Sequence, residues 1–266
     1  MSFQPVIPTT GYAGWRFLTR TLPAQQEAFK ESAPVVRATE HFRNNIAKVR
    51  TVDDLMADRR LLDVALGAFG LDKDIINKAF IRKVLAEGTL KDDAFANKLA
   101  DKRYAQLARA FGFGDLGART GLPSFATDIV ARFEARRFEA AVGEQNGDMR
   151  LALNLAQGLA DAATAGSQNA QWFAVMGNMP VRTVFEQALG FPRSFGSIDI
   201  DQQLVAFKDR ARATFGIDKI ADFADPAQQE KLLRLFLIRS EASQGGGLSA
   251  GNIALTILGA RGQARG

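Results

Sequence analysis

Two glycine-rich motifs and a single histidine are the parts of this 266-residue chain whose residue types could do chemistry. Residues 247–251 read Gly-Leu-Ser-Ala-Gly, which matches the Gly-x-Ser-x-Gly pattern of a hydrolase nucleophile elbow. That chemistry needs a strand before the serine, and an acid and a histidine after it. No acidic residue and no histidine follow Ser249, because the one histidine is His41. The sequence therefore disfavours a serine hydrolase.

The second motif, Gly-Phe-Gly-Asp-Leu-Gly at 112–117, matches the dinucleotide-binding fingerprint. That fingerprint works only when its glycines follow a strand and place a pyrophosphate at a helix N-terminus. Here the motif follows an apolar pattern of helical spacing that ends at Phe111. We therefore predict that these glycines stop a helix and form a joint.

The residues do not favour a metal site or an acid-base catalytic site. His41 has no second histidine and no cysteine with which to build a zinc site. The acid pairs at 53–54 and 92–93 stand where helices are predicted to begin, so helix capping explains them. Asp199 and Asp201 lack the further oxygen ligands of a calcium loop. We expect no catalytic residue, no cofactor and no metal, and hence a protein that is not an enzyme.

One enzymatic alternative stays open. A helical enzyme acting on a phosphorylated or acidic substrate would need several arginines to converge on a pocket. The candidates are Arg132, Arg136 and Arg137.

The charge of the chain raises the question of nucleic acid, since the net charge is +5 and the pI is about 9.6. Strong phosphate binding needs basic residues gathered on one surface. Here lysines and arginines alternate with acids, as at 101–103 and 132–137, which is typical of solvated helix faces. We expect no nucleic-acid partner.

Composition points to a globular protein outside the membrane. Apolar residues make up 47% of the chain and charged residues 24%, which is ordinary for a soluble domain. No apolar run approaches the roughly 20 residues of a membrane-spanning helix. Residues 1–5 lack the basic and apolar stretches of a cleaved signal peptide. Absence of cysteine fits a cytoplasmic protein, and equally one exported unfolded without a signal peptide.

Helical spacing of apolar residues dominates the rest of the chain. Three apolar patterns end in Phe-Gly followed by an apolar residue, at 69–71, 111–113 and 215–217. Glycine reaches a left-handed backbone at little cost, which helix C-caps require. We find no alternating pattern long enough for a strand. The predicted fold class is all-α, a multi-helix bundle in two helical halves with an irregular N-terminal arm and a flexible C-terminal tail.

The glycine-rich segment 112–121 is the predicted boundary between the halves. The predicted organisation is therefore an arm at 1–22, a first half at 23–121, a second half at 122–243 and a tail at 244–266.

Local signals predict where individual helices begin. In the first half, Thr51 caps one helix, Asp72 caps a helix over 75–85, and Asp92 or Asp93 opens a long helix to Phe111. In the second half, helices are expected at 127–142, from Asp148 to Ala163, after Ser167, from Pro180, from Asp199 or Asp201, and from Asp225-Pro226.

The arm and the tail carry apolar residues that seldom stay free in water. Each docks either on its own domain or on a partner or neighbouring subunit. The candidate interaction residues are Trp15, Phe17 and Leu18 in the arm and Ile253, Leu255, Ile257 and Leu258 in the tail.

The order of several short motifs resembles a bacterial family of unknown function, domain-of-unknown-function family twelve-seventeen. The resemblance covers most of residues 24–240. It is carried by Thr-Val-Asp-Asp-Leu at 51–55, Ala-Phe-Gly-Leu at 68–71, Phe-Ala-Asn-Lys-Leu-Ala-Asp at 95–101, Trp-Phe-Ala-Val-Met at 172–176 and Ala-Leu-Gly-Phe-Pro at 188–192.

The resemblance implies a setting and not a chemistry. Members of that family are often encoded among flagellar genes, and the family provides no catalytic residues to carry onto this chain. We therefore expect a non-enzymatic, helical structural or interaction protein connected with flagellar assembly or function. Its partners would be flagellar components or further copies of itself, so it can form oligomers. The alternative is a cytoplasmic binding module, a chaperone or regulator that holds a partner helix between its halves.

Overall fold

The secondary structure is helical throughout the part of the chain that the computed structural model describes, residues 3–99 and 101–244. These residues form thirteen α-helices and four short 3-10 helices, and no strand occurs among them. The all-α prediction is confirmed. In the same residues, none of the helices combines the length and the apolarity that crossing a membrane would take.

The chain divides into two compact units, Met1–Val6 with Thr21–Val142, and Ile7–Arg20 with Gly143–Gly266. The division at 142/143 differs from the predicted one at 121/122, and residues 1–22 are shared between the units. The glycines of 112–121 do not separate two bodies, because Thr120 in this segment donates a hydrogen bond to the Val49 carbonyl within the first unit (2.6 Å).

The first unit packs around α4, whose buried residues include Leu62, Ala65 and Leu66. Its helices are the second part of α1 (Gly11–Lys30), α2 (Ala33–Asn45), α3 (Val52–Ala57), α4 (Arg59–Gly67), α5 (Lys78–Glu87), α6 (Phe95–Lys98), α7 (Arg103–Phe111) and most of α8 (Phe125–Gln145).

The second unit packs around Trp172, which stacks on Phe207 and meets Phe185 edge-on. The Trp172 Nε1–H donates to the Asp218 carbonyl at 2.7 Å, so the buried indole is satisfied. The helices are the first part of α1, α9 (Gly147–Ala163), α10 (Gln168–Gly177), α11 (Met179–Leu189), α12 (Ile200–Phe215) and α13 (Pro226–Gln244).

The three Phe-Gly stops behave as predicted. Gly70, Gly112 and Gly216 have φ of +68°, +72° and +77°, and every residue with positive φ in the described part of the chain is a glycine. The amide of Leu71 bonds back to the Leu66 carbonyl (2.9 Å), which closes the end of α4. The predicted Thr51 cap is also present, as a capping box with Asp54.

The N-terminal arm is helical from Gly11, so the prediction of an irregular segment over 1–22 is wrong for residues 11–22, while the described residues 3–10 form no regular element. Helix α1 begins at Gly11 and continues through Pro23. Its buried positions, among them Gly14, Leu18 and Phe29, fall on one helical face. Gly14 does not break the helix: a Cβ there would lie 2.0 Å from the Thr9 carbonyl oxygen, so close packing requires glycine.

The long helix predicted from Asp92 or Asp93 to Phe111 is also wrong, because the short α6 and then α7 occupy this segment. Asp92 and Asp93 are exposed in the preceding turn. Glu87 caps α6 by accepting the Phe95 N–H (2.9 Å). Asn97 donates to the carbonyls of the turn before α6, which a helix continuing through this segment would not present.

Two further helix starts differ from the predicted ones. Asp72 begins a 3-10 helix (Asp72–Ile76), and α5 starts only at Lys78. Asn146, and not Asp148, caps α9 by accepting the Met149 N–H (3.1 Å).

Candidate interaction surfaces

His41 ties α2 to the start of α4. Its Nε2 lies 2.6 Å from Oδ2 of Asp58, while the other carboxylate oxygen caps α4 by accepting the amides of Arg60 and Leu61. Burial opposes ionisation of Asp58, but the hydrogen bonds from His41 and the two amides outweigh it and lower the pKa of Asp58. The arrangement gives His41 a structural partner. Among the described residues, no three of His, Cys, Asp or Glu are grouped as a metal would need.

The Gly-x-Gly-x-x-Gly segment 112–117 follows helix α7. The side chain of Asp115 in this segment stabilises the turn at residues 89–90. Asp115 accepts hydrogen bonds from the amides of Thr89 (2.5 Å) and Leu90 (3.0 Å). A Cβ on Gly114 would lie 2.3 Å from the Ala86 carbonyl oxygen. The motif therefore brings two pieces of backbone together at the end of α5.

The three candidate arginines line neither of the two clefts described below, and each makes its own contacts. Arg137 bonds to Asp63 (3.2 Å) and Asp72 (3.4 Å). Arg136 pairs with Glu139 one turn along α8 (2.9 Å). The third, Arg132, lies over the ring of Phe69, 5.7 Å from its centroid. All three arginines therefore make contacts with side chains of the first unit.

The arm residues predicted for interaction are mostly part of the protein's own core. Trp15 and Leu18 are buried on α1, and Phe17 is half-buried. Helix packing covers Trp15 and Leu18, which agrees with the alternative that the arm docks on its own domain, and a partner contact through the arm stays a prediction. Ser249 and the tail residues Ile253, Leu255, Ile257 and Leu258 lie outside the described residues, so their roles stay predictions.

Val6 is held through its backbone by a contact that no pattern in the sequence predicts. Gln25 is buried, and its amide group both accepts the Val6 N–H (2.8 Å) and donates to the Val6 carbonyl (3.1 Å). The Phe3 ring meets Phe29 edge-on with 5.5 Å between centroids. One buried glutamine thus binds both the N–H and the carbonyl of a single residue within the first unit.

Beside Phe29 lies a cleft of about 170 Å³. Its carboxylate, Glu134, is mostly buried, and its oxygen is 3.8 Å from the Arg43 guanidinium. Burial raises the pKa of Glu134 above its ordinary value. An apolar floor with a half-desolvated carboxylate suits an apolar side chain with a cationic end. The lining residues are Gln26, Phe29, Lys30, Ala131, Glu134, Ala135 and Phe138.

A second cleft, of about 250 Å³, is lined by Arg59, Ile75, Ile76 and Lys78, and we call these four residues the basic cleft. Ile76 is 81% exposed. In the described structure neither Arg59 nor Lys78 uses its side chain in an ion pair or hydrogen bond. The basic cleft therefore combines exposed apolar surface with two uncompensated cations.

The second unit carries the opposite combination at 198–201, Ile-Asp-Ile-Asp, which we call the acidic ridge. Ile198 and Ile200 are 41% and 47% exposed. Asp199 caps α12 through one oxygen, accepting the Asp201 amide at 2.9 Å. Both aspartates are exposed, and neither forms an ion pair within the described ranges. Two apolar side chains thus alternate with two carboxylates.

The comparisons with known proteins give a family and a fold. Residues 68–228 match a family described as "Protein of unknown function (DUF1217)". The chain is similar to a protein of Agrobacterium tumefaciens whose X-ray crystal structure was determined in a structural genomics programme. The two share 33% sequence identity, the match covers 90% of this chain and 96% of that one, and the TM-score is 0.69. No curated protein matches the chain.

Proposed function

Because this chain belongs to the DUF1217 family of proteins of unknown function, we propose that it is a non-enzymatic, helical structural or interaction protein connected with flagellar assembly or function. The flagellar part of the proposal draws on the resemblance given above, since relatives are often encoded among flagellar genes. Such an association names a setting, and the mechanism has to come from the surface of the molecule.

The basic cleft is the observation that carries the proposal. Single exposed apolar residues are normal on protein surfaces. Ile76 differs because it stands beside a second isoleucine and two cations that have no ion-pair or hydrogen-bond partner among residues 3–99 and 101–244. An apolar centre with a charged rim is the arrangement of a protein-binding site.

The residues that chemistry would use support the non-enzymatic part. His41 and Asp58 are committed to a helix cap, Asp115 to a turn, and Arg137 to two carboxylates. Each of these contacts has a structural purpose that accounts for the residue type.

The Phe29–Glu134 cleft favours a second candidate, a cytoplasmic binding module that acts as a chaperone or regulator. Its apolar floor and carboxylate suit a side chain from a partner helix. Fractionation of motile cells separates the two: the first candidate is expected in the flagellar fraction, and the second in the cytosol.

Affinity capture from motile cells tests the leading proposal. Wild-type protein is expected to retain flagellar components, and Ile76→Glu to lose them because it places a carboxylate among the apolar contacts. Leu116→Glu is the matched control, since Leu116 is 93% exposed in the same unit and lies outside the basic cleft. Failure of the wild type to capture any flagellar component, or equal capture by all three proteins, would overturn the proposal.

The tail offers an independent test. Deleting residues 244–266 is expected to leave the helical units folded while weakening partner capture or self-assembly, since the segment removed is apolar at 253–258. Motility and capture that stay unchanged after this deletion would count against the tail as an interaction element.

A further inference from the structure

We propose that the basic cleft of one copy of this protein binds the acidic ridge of a second copy, so that copies join head to tail. This inference rests on the proposed function in one respect, that the basic cleft docks a protein segment. It adds the identity of that segment.

Complementary chemistry on the two surfaces is the argument. The basic cleft presents the exposed Ile76 beside the partly buried Ile75, and two cations, Arg59 and Lys78, that form no ion pair or side-chain hydrogen bond with the described residues. The acidic ridge presents two exposed isoleucines and two carboxylates that form no ion pair in the described residues, Asp199 and Asp201. The charges of the two surfaces are therefore opposite, and each surface also exposes isoleucine, Ile76 in the basic cleft and Ile198 and Ile200 in the acidic ridge.

Pairing of these surfaces would pack isoleucines together and place the ion pairs at the rim. Apolar burial supplies most of the attraction in such a contact. Rim charges mainly steer the encounter and select the partner, and salt weakens their effect. The patches are small, so we expect a weak contact with a dissociation constant on the order of 10–100 µM.

A contact between two different surfaces has a structural consequence. After one contact forms, the pair still carries one free basic cleft and one free acidic ridge. Such heterologous contacts continue into open assemblies unless the geometry closes a ring. Open growth suits a structural protein.

Two double variants test the inference by sedimentation velocity on the full chain. Ile76→Ser with Lys78→Gln removes one apolar group and one charge from the basic cleft. Ile200→Ser with Asp201→Asn does the same to the acidic ridge. Leu90→Ser with Lys91→Gln is the control, because both residues are exposed in the first unit and outside the cleft.

Wild type and control are expected to increase in average mass with concentration, and less so at high salt. Each variant alone should associate at least about tenfold more weakly. An equimolar mixture of the two variants should form dimers and stop there, since one intact cleft meets one intact ridge and both remaining surfaces are disabled. Circular dichroism confirms that every variant is folded.

Several results would overturn the inference: a wild type that stays monomeric, variants that associate like the wild type, a mixture that forms no dimer, or a mixture that grows beyond dimers. These results leave the proposed function standing if wild type still captures flagellar components. Loss of that capture with intact self-association would instead refute the proposed function alone.

Discussion

Replacing the stop glycines by alanine provides a graded test of how the helices end. Gly216 and Gly112 have nearly the same left-handed backbone, with φ of +77° and +72°. Their surroundings differ. Nothing lies within 4 Å of a Cβ built on Gly216, whereas a Cβ on Gly112 would lie 2.8 Å from the Gly117 carbonyl oxygen and from Cγ of Arg119.

The expected costs follow from this difference. An alanine in the left-handed conformation lowers the free energy of unfolding by about 1–2 kcal/mol. Alanine also restricts the unfolded chain more than glycine does, which raises the free energy of unfolding by about 0.4–1 kcal/mol. Gly216→Ala should therefore destabilise by about 1 kcal/mol. Gly112→Ala adds a steric term of about 1–3 kcal/mol, because a backbone oxygen cannot swing aside as a flexible side chain can. Its total should be about 2–4 kcal/mol.

Urea unfolding followed by circular dichroism measures these free energies from midpoint and slope. Gly177→Ala is the control: Gly177 ends α10 with ordinary φ and open space around its Cβ, so the change should be neutral or stabilising by up to about 1 kcal/mol. If the two units unfold in separate steps, Gly112→Ala shifts the step of the first and Gly216→Ala that of the second. Equal costs at Gly112 and Gly216, or no cost at Gly216, would refute the reasoning.

Three further predictions concern single contacts. Asp58→Asn keeps the helix cap but removes the titrating group. Because the pKa of Asp58 is lowered in the folded protein, wild type should lose stability as pH falls below about 4. The Tm of the variant should depend less on pH over the same range. Trp172→Phe removes the Nε1 hydrogen bond to Asp218 and some core volume, and should cost about 1–3 kcal/mol in urea unfolding. Gln25→Leu removes both hydrogen bonds to Val6, so the Val6 amide should exchange with deuterium at least about tenfold faster.

Each of these three has a neighbouring control and a result that would contradict it. Identical pH profiles for wild type and Asp58→Asn would remove Asp58 as a source of acid sensitivity. Phe173→Leu, next to Trp172 but exposed, should stay within about 0.5 kcal/mol of wild type. Gln26→Leu should leave Val6 exchange unchanged, and the same protection in Gln25→Leu would show that Gln25 does not hold the segment.

The sequence by itself determined the helical class and the places where many helices start and stop. These features depend on interactions within a few residues: a glycine at φ near +70° ends α4, α7 and α12, and Thr51, Ser167 and Asp199 cap the helices that follow them. Because these caps form between residues a few positions apart, the sequence alone is enough to predict them.

Tertiary structure decided the features that depend on distant contacts. Helix α1 passes through Pro23 because one of its faces is buried, and Gly14 serves close packing against Thr9 instead of breaking the helix. The start of α6 depends on Glu87, which accepts the Phe95 amide, and on the turn to which Asn97 donates; both contacts reach back eight residues, beyond a local helix pattern.

The candidate surface shows the same limit. The sequence indicated Trp15 and Leu18 as candidate interaction residues, and in the structure helix packing buries both side chains. It gave no sign of the basic cleft, since Arg59 and Ile76 meet only when α4 and the 3-10 helix 72–76 fold together. Helix ends are fixed by hydrogen bonds within a turn, whereas exposure is fixed by which faces other parts of the chain cover.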